Sequence, residues 1–306
     1  MIGIFLKKPA SHCVKPNCAA DPAEKREYDQ FGPWMLEIGS EEEMPPCFRS
    51  WYPELRTATF LFKIPVHEER RDLMPGMPMY RAVLAADEDG VTLLERSGSE
   101  IGKRRIGLGS VVALRHEEIL LNGELILYLR GGETRVVAYN TVSGGLVQPL
   151  VDFLRARFPP AVNGFLPEDT AVVDKFPFGY AIADLVARDG RFRPIHCEAE
   201  DRRRRLFRRR AGRLGNAILD NGEELAVVTR GKDERLRGHE AVYGISWLFL
   251  PFAELRGYKV VEPNMRRLGE PVVLSLRADG HEFDLDLECD ASVLITELDR
   301  TAVRSC

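Results

Sequence analysis

The chain has 306 residues, of which 44% are hydrophobic and 29% charged, with a formal net charge of −4. These are ordinary values for a globular protein with a real core, and the length has room for two domains. They exclude a surface that binds polyanions everywhere, so any basic site has to be local. No apolar run reaches the roughly 18–20 residues that a membrane-spanning helix needs.

In chain order, residues 1–75 read as an N-terminal extension, partly irregular. Lys15-Pro16-Asn17, Asp21-Pro22 and Ser40-Glu41-Glu42-Glu43-Met44-Pro45-Pro46 are rich in proline and charge, and residues 1–30 are expected to be mobile or loosely packed. Met1 to Lys8 places its apolar residues before its lysines, the wrong order for an export signal, so a cytoplasmic location is expected. His12, Cys13 and Cys18 have no second Cys/His pair at zinc spacing, and six scattered cysteines make no disulfide framework. Reduced thiols, no metal and no cofactor are the expectation. Phe31 to Ile38 is an isolated apolar segment, and Thr57 to Ile64 reads as a strand that Pro65 ends.

From Met79 the texture becomes short strands separated by turn signals. Tyr80 to Ala85 leads into Asp87-Glu88-Asp89-Gly90, then Val91 to Arg96 follows. Ile106 to Val111 opens another strand. Asn122-Gly123 turns into Glu124 to Arg130, and Gly131-Gly132 turns into Thr134 to Tyr139. The period then switches to helical: Leu146, Leu150, Val151, Leu154 and Phe158 share a face, and Pro159-Pro160 stops the helix.

The second half repeats the order. Ala217-Ile218-Leu219 with Asp220-Asn221-Gly222 echoes Ala82-Val83-Leu84 and its acidic turn. Leu225 to Gly231 echoes Val91 to Arg96, Leu250 to Leu255 matches Ile106 to Val111, and Leu274 to Arg277 matches Leu127 to Arg130. Ala241 to Phe252 reads as a buried strand. A closing helix is expected from Leu294, Ile295, Leu298 and Ala302, with Asp290 or Ser292 as its cap.

These landmarks, residues 106–111 with 124–158 and residues 250–255 with 270–300, resemble the bacterial pleckstrin-homology-like domain. The resemblance implies an α+β, mainly β fold: two tandem, partly open β-barrels, each capped by a C-terminal helix. It puts the first module at 76–160 and the second within 161–306, with its core at about 212–306 after a linker or helical segment. Leu150, Leu154, Leu294 and Leu298 are then expected to close the open ends.

The densest charge lies at Arg202, Arg203, Arg204, Arg205, Arg208, Arg209 and Arg210, around Leu206-Phe207. Such a run can bind phosphate on an anionic membrane or a nucleic acid. Glu198 and Asp201 lie four residues before Arg202 and Arg205, so a self-neutralising solvated helix or linker is the competing reading. Asp284, Asp286 and Glu288 share one strand face, read as solvent-facing rather than as a calcium site. Trp34, Trp51 and Trp247 read as core or interface anchors. Phe176 to Tyr180 reads as a wall between the halves, the alternative being an exposed recognition patch.

No phosphate loop, no His-Glu-x-x-His and no Gly-x-Ser-x-Gly elbow is present. The expectation is a non-catalytic binding or scaffold protein with a protein or peptide ligand. The alternatives are peripheral binding to an anionic membrane, then nucleic acid, through the arginine run, and last an enzyme without a sequence motif.

Overall fold

The computed structural model describes residues 22–68, 70–159, 179–198, 215–230, 244–261, 272–287, 294–296 and 298–299. It is mainly β, with few helices and several antiparallel sheets.

Helix α1 (Pro22–Gln30) starts with proline, which tolerates a helix's first turn. It occupies part of the stretch expected to be loose, and residues 1–21 lie outside the described residues. Tyr28 on α1 packs against a small core of Phe31, Leu73, Met79 and Tyr80. Strands β1 (Leu36–Glu37), β2 (Phe60–Pro65), β3 (Tyr80–Ala86), β4 (Gly90–Ser97) and β5 (Glu100–Gly107) form a five-stranded sheet in that order. Its outer face, at Leu61, Val83, Ala85 and Leu94, is covered by Ile38, Met44, Phe48 and Leu55. Leu55 belongs to the single-turn helix α2 (Tyr52–Leu55). The segment before residue 75 therefore wraps onto the first sheet and adds two strands to it.

The stretch Ile106 to Val111 is not one strand. β5 ends at Gly107, a 3-10 turn covers Leu108–Ser110, and β6 (Val111–Ile119) starts beyond it. β7 (Asn122–Leu129) and β8 (Thr134–Asn140) follow, then helix α3 (Gly144–Arg155) and helix α4 (Gly179–Arg188). Strands β9 (Arg193–Glu198), β10 (Asn216–Asp220), β11 (Glu224–Arg230) and β12 (Gly244–Pro251) come next. Another 3-10 turn, Phe252–Glu254, leads into β13 (Leu255–Val261), β14 (Val272–Ala278) and β15 (His281–Leu287).

The second sheet has seven strands in the order β8-β7-β6-β12-β11-β10-β9. Its middle is the antiparallel pairing of β6 with β12, which places Trp247 opposite His116 with their rings stacked at 5.4 Å. β12 is apolar along Trp247-Leu248-Phe249-Leu250, the composition of a strand flanked on both sides. The third sheet is β13-β14-β15. Among the described residues no sheet closes on itself.

The two faces of the seven-stranded sheet serve two cores. On one, Leu114, Leu127, Leu219, Ala226 and Phe249 meet Phe62, Leu84 and Leu93 of the first sheet, together with Leu150, Val151 and Leu154 of α3 and Ile182 and Leu185 of α4. On the other, Ile218, Val227, Leu248 and Leu250 meet Leu274, Leu276, Phe283 and Leu285, and Leu294 and Leu298 lie in this core. Residues 294–296 and 298–299 are helical. All four leucines expected to close the open ends are buried. Each such leucine contributes about 1.5–3 kcal/mol of burial.

Several local details occur twice. Asp87 Oδ1 accepts from the backbone N–H groups of Asp89 (2.9 Å) and Gly90 (3.0 Å), and Asn221 Oδ1 accepts from Glu223 and Glu224 (2.9 Å each). Leu108 N–H donates to the carbonyl of Asp89 at 3.2 Å, and Phe252 N–H to that of Glu223 at 2.9 Å. The register shifts at the start of β6, between Val111 and Ala113, and at the start of β13, between Leu255 and Gly257. No helix among the described residues is long and apolar enough to cross a membrane.

Candidate functional site: a charged cleft beside helix α3

Helix α3 carries its apolar stripe into the first core, and its last residue, Arg155, is consequently held at a buried position. The aliphatic part of an arginine suits such a place, but the guanidinium has to find carboxylates. Arg155 Nε donates to Glu224 Oε1 at 3.1 Å, its Nη2 donates to the same oxygen, and Nη1 donates to Asp152 Oδ1 at 3.0 Å. The guanidinium also lies 4.2 Å from the ring centre of Phe249 and 5.2 Å from that of Phe192.

Around this pair lies a cleft of about 620 Å³, lined by Asp152, Arg155, Ala156, Phe158, Pro159, Arg188, Asp189, Arg191, Glu223 and Glu224. Each of its guanidiniums is already engaged. Arg188 Nη1 donates to both carboxylate oxygens of Asp152, at 2.7 and 2.9 Å. Arg191 bridges Asp189, at 3.0 and 3.1 Å, and Glu223, at 2.7 Å. Four carboxylates face three guanidiniums, so the lining carries one surplus negative charge.

The electrostatics split the carboxylates. Burial pushes the Glu224 carboxyl above its ordinary range, with attraction and hydrogen bonding from Arg155 pulling the other way. Burial also works to raise Asp189, but hydrogen bonds from Arg191 and Asn221 outweigh it and leave that carboxyl low. The same bonds from Asp189 and Glu223 raise Arg191. Glu224 Oε1 takes both Arg155 bonds and one from Asn221 Nδ2 at 3.3 Å, whereas Oε2 is buried without a hydrogen-bond partner.

A second polar group sits at the far end of β6. The Tyr139 hydroxyl hydrogen-bonds with His116 Nε2 and donates to Glu118 Oε1 at 3.1 Å. Hydrogen bonding from His116 holds the Glu118 carboxyl below its usual range, and burial raises the Tyr139 hydroxyl. Beside it the hairpin tip Leu120-Leu121 and nearby Val142 are exposed.

The arginines of the run, Arg202 to Arg205 and Arg208 to Arg210, lie outside the described residues, as do His12, Cys13 and Cys18. Asp284 is exposed and bonded to Ser275, and the side chains of Asp286 and Glu288 lie outside the described set. His281 Nε2 donates to the carbonyl of Leu129 at 2.8 Å. Among the described residues no group of three or more His, Cys, Asp or Glu could hold a metal ion. Trp34 is exposed, as is Tyr180, while Phe176 to Phe178 lie outside the described residues.

The charged cleft was not legible in advance. Asp220-Asn221-Gly222 reads as a turn, and the residues that meet there come from segments far apart in sequence. One signal was available: the strand after the first turn opens on Gly90, whereas the strand after the second opens on Glu224, a carboxylate that the turn itself does not need. Comparison with known proteins finds no matching family model, no curated relative and no matching solved structure.

Proposed function

We propose that this chain is a non-catalytic binding or scaffold protein made of two pleckstrin-homology-like modules, with a protein or peptide as ligand. The duplicated reading is supported by the two Asx turns, the two 3-10 corners and the two matching register shifts. In it β3 to β8 correspond to β10 to β15, and the modules meet by the edge of β6 against the edge of β12.

The observation that carries the binding reading is the cleft of about 620 Å³ where α3 and α4 meet the β10–β11 turn, walled by charge with apolar Phe158 and Pro159 beside it. Its ionisable groups are tied into pairs. That arrangement suits recognition of a shaped, charged guest better than proton transfer, which needs a group free to exchange its proton with substrate.

The test is a pull-down of the tagged chain with nuclease treatment at low and high salt, beside a cleft variant, Phe158→Ser. A stoichiometric protein that survives high salt and is lost in the variant supports the reading. Robust turnover of a hydrolase substrate panel by the purified chain would sink it. The sequence Arg202 to Arg210 motivates a second reading, contact with an anionic membrane; it predicts salt-sensitive liposome binding that disappears when these arginines become Gln.

A further inference from the structure

A carboxylate offers about four lone-pair sites, and a buried one that leaves an oxygen empty is costly. Glu224 has that defect: its residue is 5% exposed, Oε1 takes all its hydrogen bonds, and Oε2 takes none. The turn does not require a carboxylate here, since the equivalent position of the first turn is Gly90, with the same pair of backbone bonds to an Asx side chain. Pairing with Arg155 uses only one side of the group. Glu224 also forms part of the cleft wall, and the lining has one negative charge in excess.

A guest that corrects all of this is a cation. A guanidinium brings a planar fork that wants two acceptors side by side, whereas a single vacant oxygen suits the point charge of an ammonium. The remaining wall, Ala156, Phe158 and Pro159, is apolar and matches an unbranched methylene stem. An anion is disfavoured, because each of the three arginines would have to surrender a carboxylate it already holds.

We propose that this cleft anchors a lysine side chain of the ligand, its ammonium donating to Glu224 Oε2 and its stem lying along Phe158 and Pro159. The proposal rests on the reading of the chain as a protein- or peptide-binding scaffold, and names the group that the scaffold grips.

The experiment is an NMR titration of the full chain with Nα-acetyl-lysine amide, with Nα-acetyl-norleucine amide as the same stem without the charge. The expected result is saturable binding of the lysine derivative, with shifts at cleft residues and none from norleucine amide. Glu224→Gln should weaken it about tenfold, the worth of one charged hydrogen bond. Should Glu224→Gln fail to fold, Phe158→Ser, on the more exposed wall, decides: it should also weaken binding. Lack of saturation, equal binding of both amides, or affinity unchanged in the folded variants would overturn the proposal. A salt-resistant protein partner in the pull-down with no amine binding overturns the lysine site and leaves the scaffold reading standing. Amine binding without any protein partner supports the site and removes the scaffold.

Discussion

Arg155 and Arg157, two residues apart at the end of α3, hold two separate turns of the molecule: Arg155 grips Glu224 after β10, and Arg157 grips Glu88 after β3, its Nε donating at 2.9 Å. The two grips differ in worth because they differ in solvent. The side chains of Arg155 and Glu224 are each 7% exposed, whereas Glu88 is 73% exposed. Removing one partner of a buried pair strands the other charge and costs about 3–5 kcal/mol, while an exposed pair is worth about 0–1 kcal/mol. Arg155→Met should therefore lower unfolding stability by about 3–5 kcal/mol in urea. Arg157→Met should change it by less than about 1 kcal/mol. Equal effects would mean that the buried grip is no clasp.

The pH dependence of stability carries the mark of Glu224. Its folded pKa is raised, so the native state binds its proton more tightly than the unfolded chain. Stability from this group is present below the unfolded value and falls as pH rises through the folded one. Asp189, whose folded pKa is lowered, works in the opposite sense: its contribution is present above the unfolded value and lost as pH falls. Thermal melts across about pH 3–7 should show that Glu224→Gln removes the decline on the upper side of the carboxylate range. Melting curves for variant and parent that run parallel over that range would contradict it.

Leu120 has a φ of 53°, left-handed backbone at a bulky residue, and it is 62% exposed. A non-glycine residue there costs about 1–2 kcal/mol, and little burial offsets it. Leu120→Gly should raise the melting temperature, and a fall would show that the leucine packs usefully.

Two glycines separate packing from propensity. A Cβ on Gly123 would sit 2.3 Å from the Tyr139 ring, whereas one on Gly145, inside α3, meets nothing within 4 Å. Gly123→Ala should cost about 1–3 kcal/mol, and Gly145→Ala should gain about 0.5–1 kcal/mol, both read by chemical unfolding.

Local rules carried much of the architecture. The acidic turn at Asp87 to Gly90 and the helical stripe through Leu150 and Leu154 depend on neighbours in sequence, and each is found where its pattern lies. The hairpin expected to turn at Asn122-Gly123 turns instead at Leu120-Leu121, with Asn122 and Gly123 already paired in β7 against Ile119 and Glu118. β5 escaped because Lys103-Arg104-Arg105 breaks the apolar alternation. The structure explains that pattern: β5 is an edge strand, where such charges discourage pairing with another chain. The pairing of β6 with β12 was out of reach, since it joins segments from the two halves of the chain and no turn chemistry announces it. The cleft stayed hidden for the same reason, as Arg155, Asp189 and Glu224 acquire their meaning only when three separate elements converge.

That pairing makes the halves mutually dependent in manufacture as well as in shape. A fragment ending near residue 160 would leave the edge of β6 bare from Leu114 to Ile119, and a fragment starting near residue 179 would leave β12 with Trp247, Leu248 and Phe249 at an open edge. Unpaired edges of that kind recruit other chains. Neither piece can serve as a dependable reagent. The intact chain should melt in one calorimetric transition, with the enthalpy of the whole absorbed at once.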